Sequence, residues 1–450
     1  MTRARVLRAV RFAALLLPAA APAACGDTLD SLGSDEAAVA QGGAAGDDAS
    51  GAGGVPGDGG LGGTPAALGG DGGVAGAGDA EPPLGGIGVT PEEIGQRINE
   101  VYDQLFHGDP NNESVMRWIE NDTEAYVLDI NGGDIGLDGM GYGMYASAAL
   151  ARREDFDALL AFVQNKMWIR TGAAAGYLST GCATDLTCDM DATSPDSSSY
   201  VVTALLLASR RWASDGGDIY LNMARELLAG MIDREPDPNG VVTDMFDASA
   251  NLVVYAPVTG SAMITSSGYV MPAFYETWAR FDPERADRWL AITDASRNYL
   301  AAAPHPQTGL YPWQSEFSGE RVDAENLGAF TFESSRVFLH LALDYSWNGA
   351  DPRQVDEAER ALAFFATQGV NNIALRYNID GTRLAVPAGT SPATTAMIAS
   401  LGLIAPLEAS RPFLQWVWDK STPTGQYRYY DGMLYLLSLL ALGGELDPIR

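Results

Sequence analysis

From residue 89 to the end of the chain, apolar positions recur with the spacing of α-helices. Twelve segments carry that period: 91–106, 139–152, 154–169, 197–213, 218–233, 268–281, 284–302, 333–346, 352–367, 392–403, 410–419 and 430–441. They alternate between two kinds. One kind is amphipathic: in 154–169 a stripe of Phe156, Leu159, Leu160, Val163 and Met167 opposes Asp155, Asp157, Gln164 and Lys166. Segment 352–367 behaves likewise, with Val355, Ala358, Leu362 and Phe365 on its stripe. The other kind, such as Tyr200 to Ala208, is apolar nearly all round, which predicts burial on every side.

Six one-sided helices alternating with six all-round apolar ones predict an inner ring wrapped by an outer ring, an all-α (α/α)6 barrel. The pairs share no textual repeat, so any repetition is architectural. A short strand is expected at Leu252-Val253-Val254-Tyr255. If the outer helices return the chain, all six inner helices run the same way and their N-termini meet at one mouth. The stretches before them are rich in Ser, Thr, Asp and Gly, which capping explains. Capping does not explain Tyr142, Tyr200, Tyr269, Tyr429 and Tyr430 at the same positions. A sugar-binding rim does, since it needs flat apolar faces with hydroxyl tips.

The first 88 residues lack this pattern. Arg3, Arg5, Arg8 and Arg11 surround the apolar run 12–17, and small residues follow to Cys25. That layout predicts a secretory signal over 1–24, too short to remain as a membrane span. Pro22-Ala-Ala-Cys25 resembles a lipoprotein processing site with Cys25 as the lipid-bearing N-terminus, whereas Ala21-Pro-Ala23 would serve ordinary signal peptidase. Residues 26–88 consist mainly of Gly, Ala and Asp with no Lys or Arg, and are expected to be a disordered tether. The barrel is therefore placed at 89–450.

Charge narrows the partners. The whole chain carries −30, the leader +4 and the tether −10, so residues 89–450 carry −24. So acidic a surface argues against nucleic acid and anionic membranes. Membrane contact is expected only through a lipid on Cys25, and a monomer is expected. Cys182 and Cys188, six apart, predict a small disulfide loop in an oxidising compartment. With three His in the chain, no metal-ligand cluster, phosphate-cradling loop or Ser/His/Asp arrangement is visible, so neither metal nor cofactor is expected.

The densest chemistry lies in 134–144, where Asp134, Asp138, four glycines and Tyr142 lead into a helical run. Several blocks together resemble glycoside hydrolase family 8. They are Asp138-Gly-Met-Gly-Tyr-Gly-Met, Ser194-Pro-Asp196 running into Tyr200 and Arg211-Trp212, and Pro272-Ala-Phe-Tyr-Glu276-Thr-Trp278-Ala. His305-Pro-Gln-Thr-Gly309-Leu, Ser335-Arg336-Val337 through Asp344-Tyr345, and Gly425-Gln-Tyr-Arg428-Tyr-Tyr-Asp431-Gly432 complete the set. Within the family the likeness is to enzymes releasing xylose from the reducing end of oligoxylans.

The resemblance implies inverting hydrolysis of β-1,4-linked xylo-oligosaccharides or xylan, with β-1,4-glucan, or sugar binding without catalysis, as the alternatives. It puts the general acid on Asp138, the general base on Glu333 and the sugar-holding carboxylate on Asp196, with Asp134 tuning the acid. Tyr142, Tyr200, Tyr269, Arg336, Tyr430 and Asp431 are expected around the substrate. The chain departs from the pattern by exchanging the catalytic pair, since the family carries Glu as acid and Asp as base. It also has Ser266 in place of Asp, Val270 in place of His, and Ser197-Ser198 in place of Gly-Glu. A base supplied by Glu316, Glu320 or Glu325 is the rival reading. Where relatives block the cleft with Leu-His-Pro, this chain has Val386-Pro-Ala-Gly389, without the histidine. Trp168, Trp212, Trp278 and Trp289 are expected in packing, His305 as a structural hydrogen-bonder, and Tyr311 or Trp313 at a subsite.

Overall fold

The computed structural model describes residues 82–449 except 121–122, 236, 324–326, 350 and 385–389. The leader, Cys25, the tether as far as residue 81, Glu325 and Val386–Gly389 lie outside the described residues. Twelve α-helices occur among the described residues, one for each predicted segment. The outer set is α1 (Pro91–His107), α3 (Arg153–Phe162), α5 (Gly217–Ile232), α7 (Ala286–Ala302), α9 (Arg353–Gln368) and α11 (Leu407–Asp419). The inner set is α2 (Leu137–Ala149), α4 (Pro195–Arg211), α6 (Pro272–Phe281), α8 (Val337–Asn348), α10 (Pro392–Ala399) and α12 (Arg428–Leu442). Each inner helix packs on the next and α12 closes on α2, while α1 covers α12, so the structure is an (α/α)6 barrel.

Burial follows the two sequence patterns. Helix α2 buries every residue except Asp138, whereas α9 buries one face, including Ala358, Ala361, Leu362 and Phe365. Close approach in the inner ring requires a missing side chain at Gly141, where a Cβ would stand 2.8 Å from Tyr200 Cβ. Asp155, expected on the wet face of α3, is instead 5% exposed. It accepts a hydrogen bond from Tyr102 (2.7 Å) and pairs with His107 (3.0 Å), polar partners that the outer helix α1 supplies.

Several boundaries move for local reasons. Helix α1 begins at a complete capping box, Thr90 with Glu93, and Pro91 in its first turn. Helix α6 starts at Pro272 because 267–269 form a 3-10 turn, and α8 follows a 3-10 turn at 334–336. The packed domain also begins earlier than expected. Leu84 is fully buried, and Arg411 donates to the Gly86 carbonyl at 3.3 Å, so residues 82–88 belong to the barrel and not to the tether.

Connections from inner to outer helices are short, as at 150–152 and 212–216. Those from outer to inner are long in most cases, as at 233–271 and 303–336. The long connections gather at the mouth with the inner N-termini, and they hold four two-stranded antiparallel ladders. These are β1 (Met116–Trp118) with β2 (Ala125–Val127), β3 (Asp134–Gly136) with β4 (Gly181–Ala183), β5 (Thr265–Ser266) with β6 (Gln314–Ser315), and β7 (Phe330–Thr331) with β8 (Arg376–Tyr377). The strand expected at Leu252–Tyr255 is reduced to a single bridge, Phe246 to Val253. Cys182 and Cys188 are joined, as expected, in the connection that begins with β4 and ends at Asp196.

Candidate active site

The approach to α8 builds one side of the mouth. Ser334 Oγ accepts from the Thr331 N–H (2.7 Å), tightening the turn so that Glu333 and Arg336 face the same way. Arg336 is 4% exposed and each of its three guanidinium nitrogens has an acceptor. Its Nη1 donates to Asp196 Oδ2 (2.7 Å) and Tyr142 Oη (2.9 Å), its Nη2 to Glu333 Oε2 (2.6 Å), and its Nε to the Glu333 carbonyl (3.3 Å). The ring of Tyr269 lies under the guanidinium, 5.5 Å from its carbon. Three carboxylate and hydroxyl partners arranged around a planar fork suit arginine and not lysine.

Asp196 stands at the start of α4, behind Pro195. The serine that would ordinarily cap this helix, Ser194, turns its hydroxyl to Asp196 Oδ1 instead, and Ser197 Oγ adds a 3.4 Å contact. With both oxygens engaged and the residue 3% exposed, Asp196 anchors Arg336; a carboxylate standing free for sugar is not what the structure shows.

Asp138 sits in the first turn of α2, partly exposed. Tyr429 donates to its Oδ1 at 2.6 Å. Burial holds its carboxyl above the usual range, opposed by the Tyr429 hydroxyl and the Gly139 N–H and reinforced by the charge of Asp196. Glu333 is raised as well, again by burial first; Arg336 pulls it down while Asp196 and Asp138 push it up. Asp134, on β3, is lifted to about 6 by burial and by the neighbouring charges of Asp129 and Asp138. Three carboxyls with raised affinity for protons thus share one mouth, Asp138 being tied to a phenol and Glu333 to a guanidinium.

Two expected rim tyrosines are not on the rim. Tyr142 and Tyr200 are each 1% exposed and meet edge to face at 4.8 Å. Their side chains point from the inner helices into the barrel, where Tyr142 accepts from Arg336 and Tyr200 pairs with His340 Nε2 (2.9 Å). Tyr269 and Tyr430 remain partly exposed. Tyr430 packs edge to face on Phe332 at 5.4 Å, next to Glu333. Asp431 accepts from Ser391 Oγ (2.6 Å) and the Ala393 N–H (3.1 Å), so it caps α10, the neighbouring inner helix.

The remaining readings separate cleanly. Glu316 and Glu320 are exposed on a turn closed by their own backbones, and neither touches Arg336 or Asp196. Trp168, Trp278 and Trp289 are buried and Trp212 partly so, while His305 hydrogen-bonds within its own loop. Tyr311 is 1% exposed and donates to the Leu300 carbonyl, which removes it from any subsite. Trp313, 6% exposed, meets Tyr255 edge-on at 6.1 Å, and Tyr255 stacks on Tyr269 at 5.7 Å. Tyr255 was legible only as part of a strand, and the partnership of Tyr429 with Asp138 had no signal beyond the density of glycines at 136–143. Ser198 and Ser266, two departures from the family pattern, are buried with hydroxyls that have no partner among the described residues.

Residues 131–444 match the family model of glycosyl hydrolases family 8. The chain belongs to that family. Among family 8 relatives, the reducing end xylose-releasing exo-oligoxylanase of Halalkalibacterium halodurans is 31% identical over 367 residues, covering 80% of this chain and 91% of its own. Endoglucanase C of Ruminiclostridium cellulolyticum is 21% identical over 311 residues, covering 68% of this chain and 63% of its own. A family 8 xylobiose complex from Teredinibacter turnerae superposes with a TM-score of 0.77 at 31% identity, covering 82% of this chain and 97% of that one.

Proposed function

We propose that this family 8 glycosidase hydrolyses β-1,4-linked xylo-oligosaccharides or xylan with inversion. The observation that carries the reading is the pair Asp138 and Glu333, two carboxyls raised by burial at one barrel mouth and held by different partners. Asp138 in its protonated form protonates the leaving glycosidic oxygen. Glu333 is held through Oε2, and Oε1, without a protein partner among the described residues, accepts the proton of the water that attacks the anomeric carbon. Xylose-releasing relatives at 30–31% identity support xylan over glucan, whose named relatives stand at 21–24%. The exchanged lengths of acid and base are opposite in sense, which is consistent with a substrate shifted across the mouth as a unit.

The leader, Cys25 and the Cys182–Cys188 pair support export, with Cys25 as the lipid attachment. Proton NMR within minutes of mixing with xylotriose tests the chemistry. The new reducing end should appear first as the α-anomer. The β-anomer appearing first would overturn inversion, and hydrolysis confined to cello-oligosaccharides would transfer the reading to glucan. An inert wild type that gains activity in the D138E/E333D double variant would establish a binding protein with a decayed site.

A further inference from the structure

Tyr429 donates to Asp138 at 2.6 Å across 291 residues of sequence, and nothing in the proposed reaction requires that contact by itself. The surroundings show that it is built in. Tyr429 is 5% exposed, on the first turn of α12, and its ring lies against the first turn of α2. A Cβ at position 139 would stand 2.7 Å from the ring carbon Cε2 and 2.9 Å from the hydroxyl. A Cβ at 136 would stand 2.2 Å from Asp138 Oδ1 and 3.3 Å from the same hydroxyl. Both positions have negative φ, so these glycines are needed for clearance and not for backbone conformation. They form the slot through which the phenol reaches the carboxyl.

The start of α12 is also locked. Arg428, 2% exposed, donates through Nε to the Ser114 carbonyl (3.1 Å), through Nη1 to Gly425 (2.6 Å) and through Nη2 to Pro110 (2.9 Å). The phenol therefore approaches Asp138 from a fixed direction.

We propose that Tyr429 is a positioning residue that occupies Asp138 Oδ1 and so confines the transferable proton to Oδ2. This rests on the reading of Asp138 as general acid. The argument is one of satisfaction. The Tyr429 hydroxyl has no acceptor other than Asp138 among the described residues. If the carboxyl proton sat on Oδ1 it would point at the phenol oxygen and leave the buried phenol proton without an acceptor, which is costly. With the proton on Oδ2, every group is satisfied and one oxygen is aimed. A fixed Oδ1 also holds the short side chain of an aspartate, which has two rotatable bonds, at the place where the proton must be delivered. The same donation favours the charged carboxylate, against the dominant effect of burial.

The test compares wild type, Y429F and D138N on xylotriose and on β-xylobiosyl fluoride, whose fluoride departs without needing a strong acid. Y429F should lose roughly 10- to 100-fold in kcat on xylotriose with little change in KM, and much less on the fluoride. Its alkaline pH–rate limb should move to higher pH, because a hydrogen bond favouring the carboxylate is gone. G139A, which crowds the ring and leaves both catalytic side chains in place, should reproduce the selective defect. An equal loss on both substrates, or no loss on xylotriose, overturns the proposal. D138N reports on the underlying reading separately: full activity on xylotriose in that variant would remove Asp138 as the acid, whatever Y429F does.

Discussion

Arg336 Nη2 stands 2.6 Å from Glu333 Oε2, and the same guanidinium is anchored by Asp196 at 2.7 Å. The proposed base thus owes its position to an arginine pinned by Asp196 of α4, which is two places away from α8 in the inner ring. Glu333→Asp would withdraw the carboxylate by one methylene and break this contact, and Asp138→Glu would push the acid past the Tyr429 hydroxyl. Each single exchange should lower kcat on xylotriose, by roughly 100-fold for a displacement on the order of 1 Å. The double exchange should recover part of the loss, with a coupling of at least ~1 kcal/mol. Strict additivity in steady-state kinetics would show that the two carboxyls do not share a geometry.

A second ion cluster carries stability and no chemistry. Asp344, fully buried at the far end of α8, receives Arg297 Nε (2.9 Å) and Nη2 (2.7 Å) and Gln354 Nε2 (2.8 Å). Arg297→Leu would leave that carboxylate buried without its cation and should cost about 3–5 kcal/mol in urea unfolding. The exposed pair Arg170–Glu226, at 3.5 Å, should be worth less than about 1 kcal/mol when broken in the same assay.

Glu357 on α9 is 5% exposed, and burial lifts its carboxyl to about 8, with the charge of Asp351 adding to the effect. The native state therefore keeps a proton that the unfolded chain has released, so this group reduces stability progressively as pH rises from about 4.5 to 8. Glu357→Gln should flatten that part of the profile and make the protein more stable than wild type by about 1 kcal/mol or more at pH 9. Parallel melting curves for the two proteins from pH 5 to 9 would refute the assignment.

Deleting residues 26–81 should leave the melting temperature and kcat of the mature protein unchanged. Extending the deletion to residue 88 removes Leu84 from the core along with the Gly86 carbonyl that Arg411 engages. That longer deletion should cost about 2 kcal/mol, near the value of one buried leucine. Scanning calorimetry of the two truncations distinguishes the outcomes, and equal melting temperatures would show that 82–88 contribute nothing.

The order and number of helices were legible in the sequence, because burial on one face or on all faces repeats every few residues and needs no knowledge of the partner. So was the gathering of Asp138, Glu333, Asp196 and Arg336 at one end of the barrel, since they sit in compact blocks at helix starts. The tertiary structure alone decided which way those starts face. Tyr142 and Tyr200 occupy the same helical turns as rim residues, yet rotation about the helix axis turns them inward to Arg336 and His340. Asp431 has the sequence of a cap for its own helix and caps α10, 38 residues back, because the closed ring brings that N-terminus nearer. Tyr429 and Asp138 meet only when α12 returns to α2. Local spacing determines periodicity and therefore helices. Which polar group satisfies which is settled by ring closure, a long-range event that no window of sequence contains.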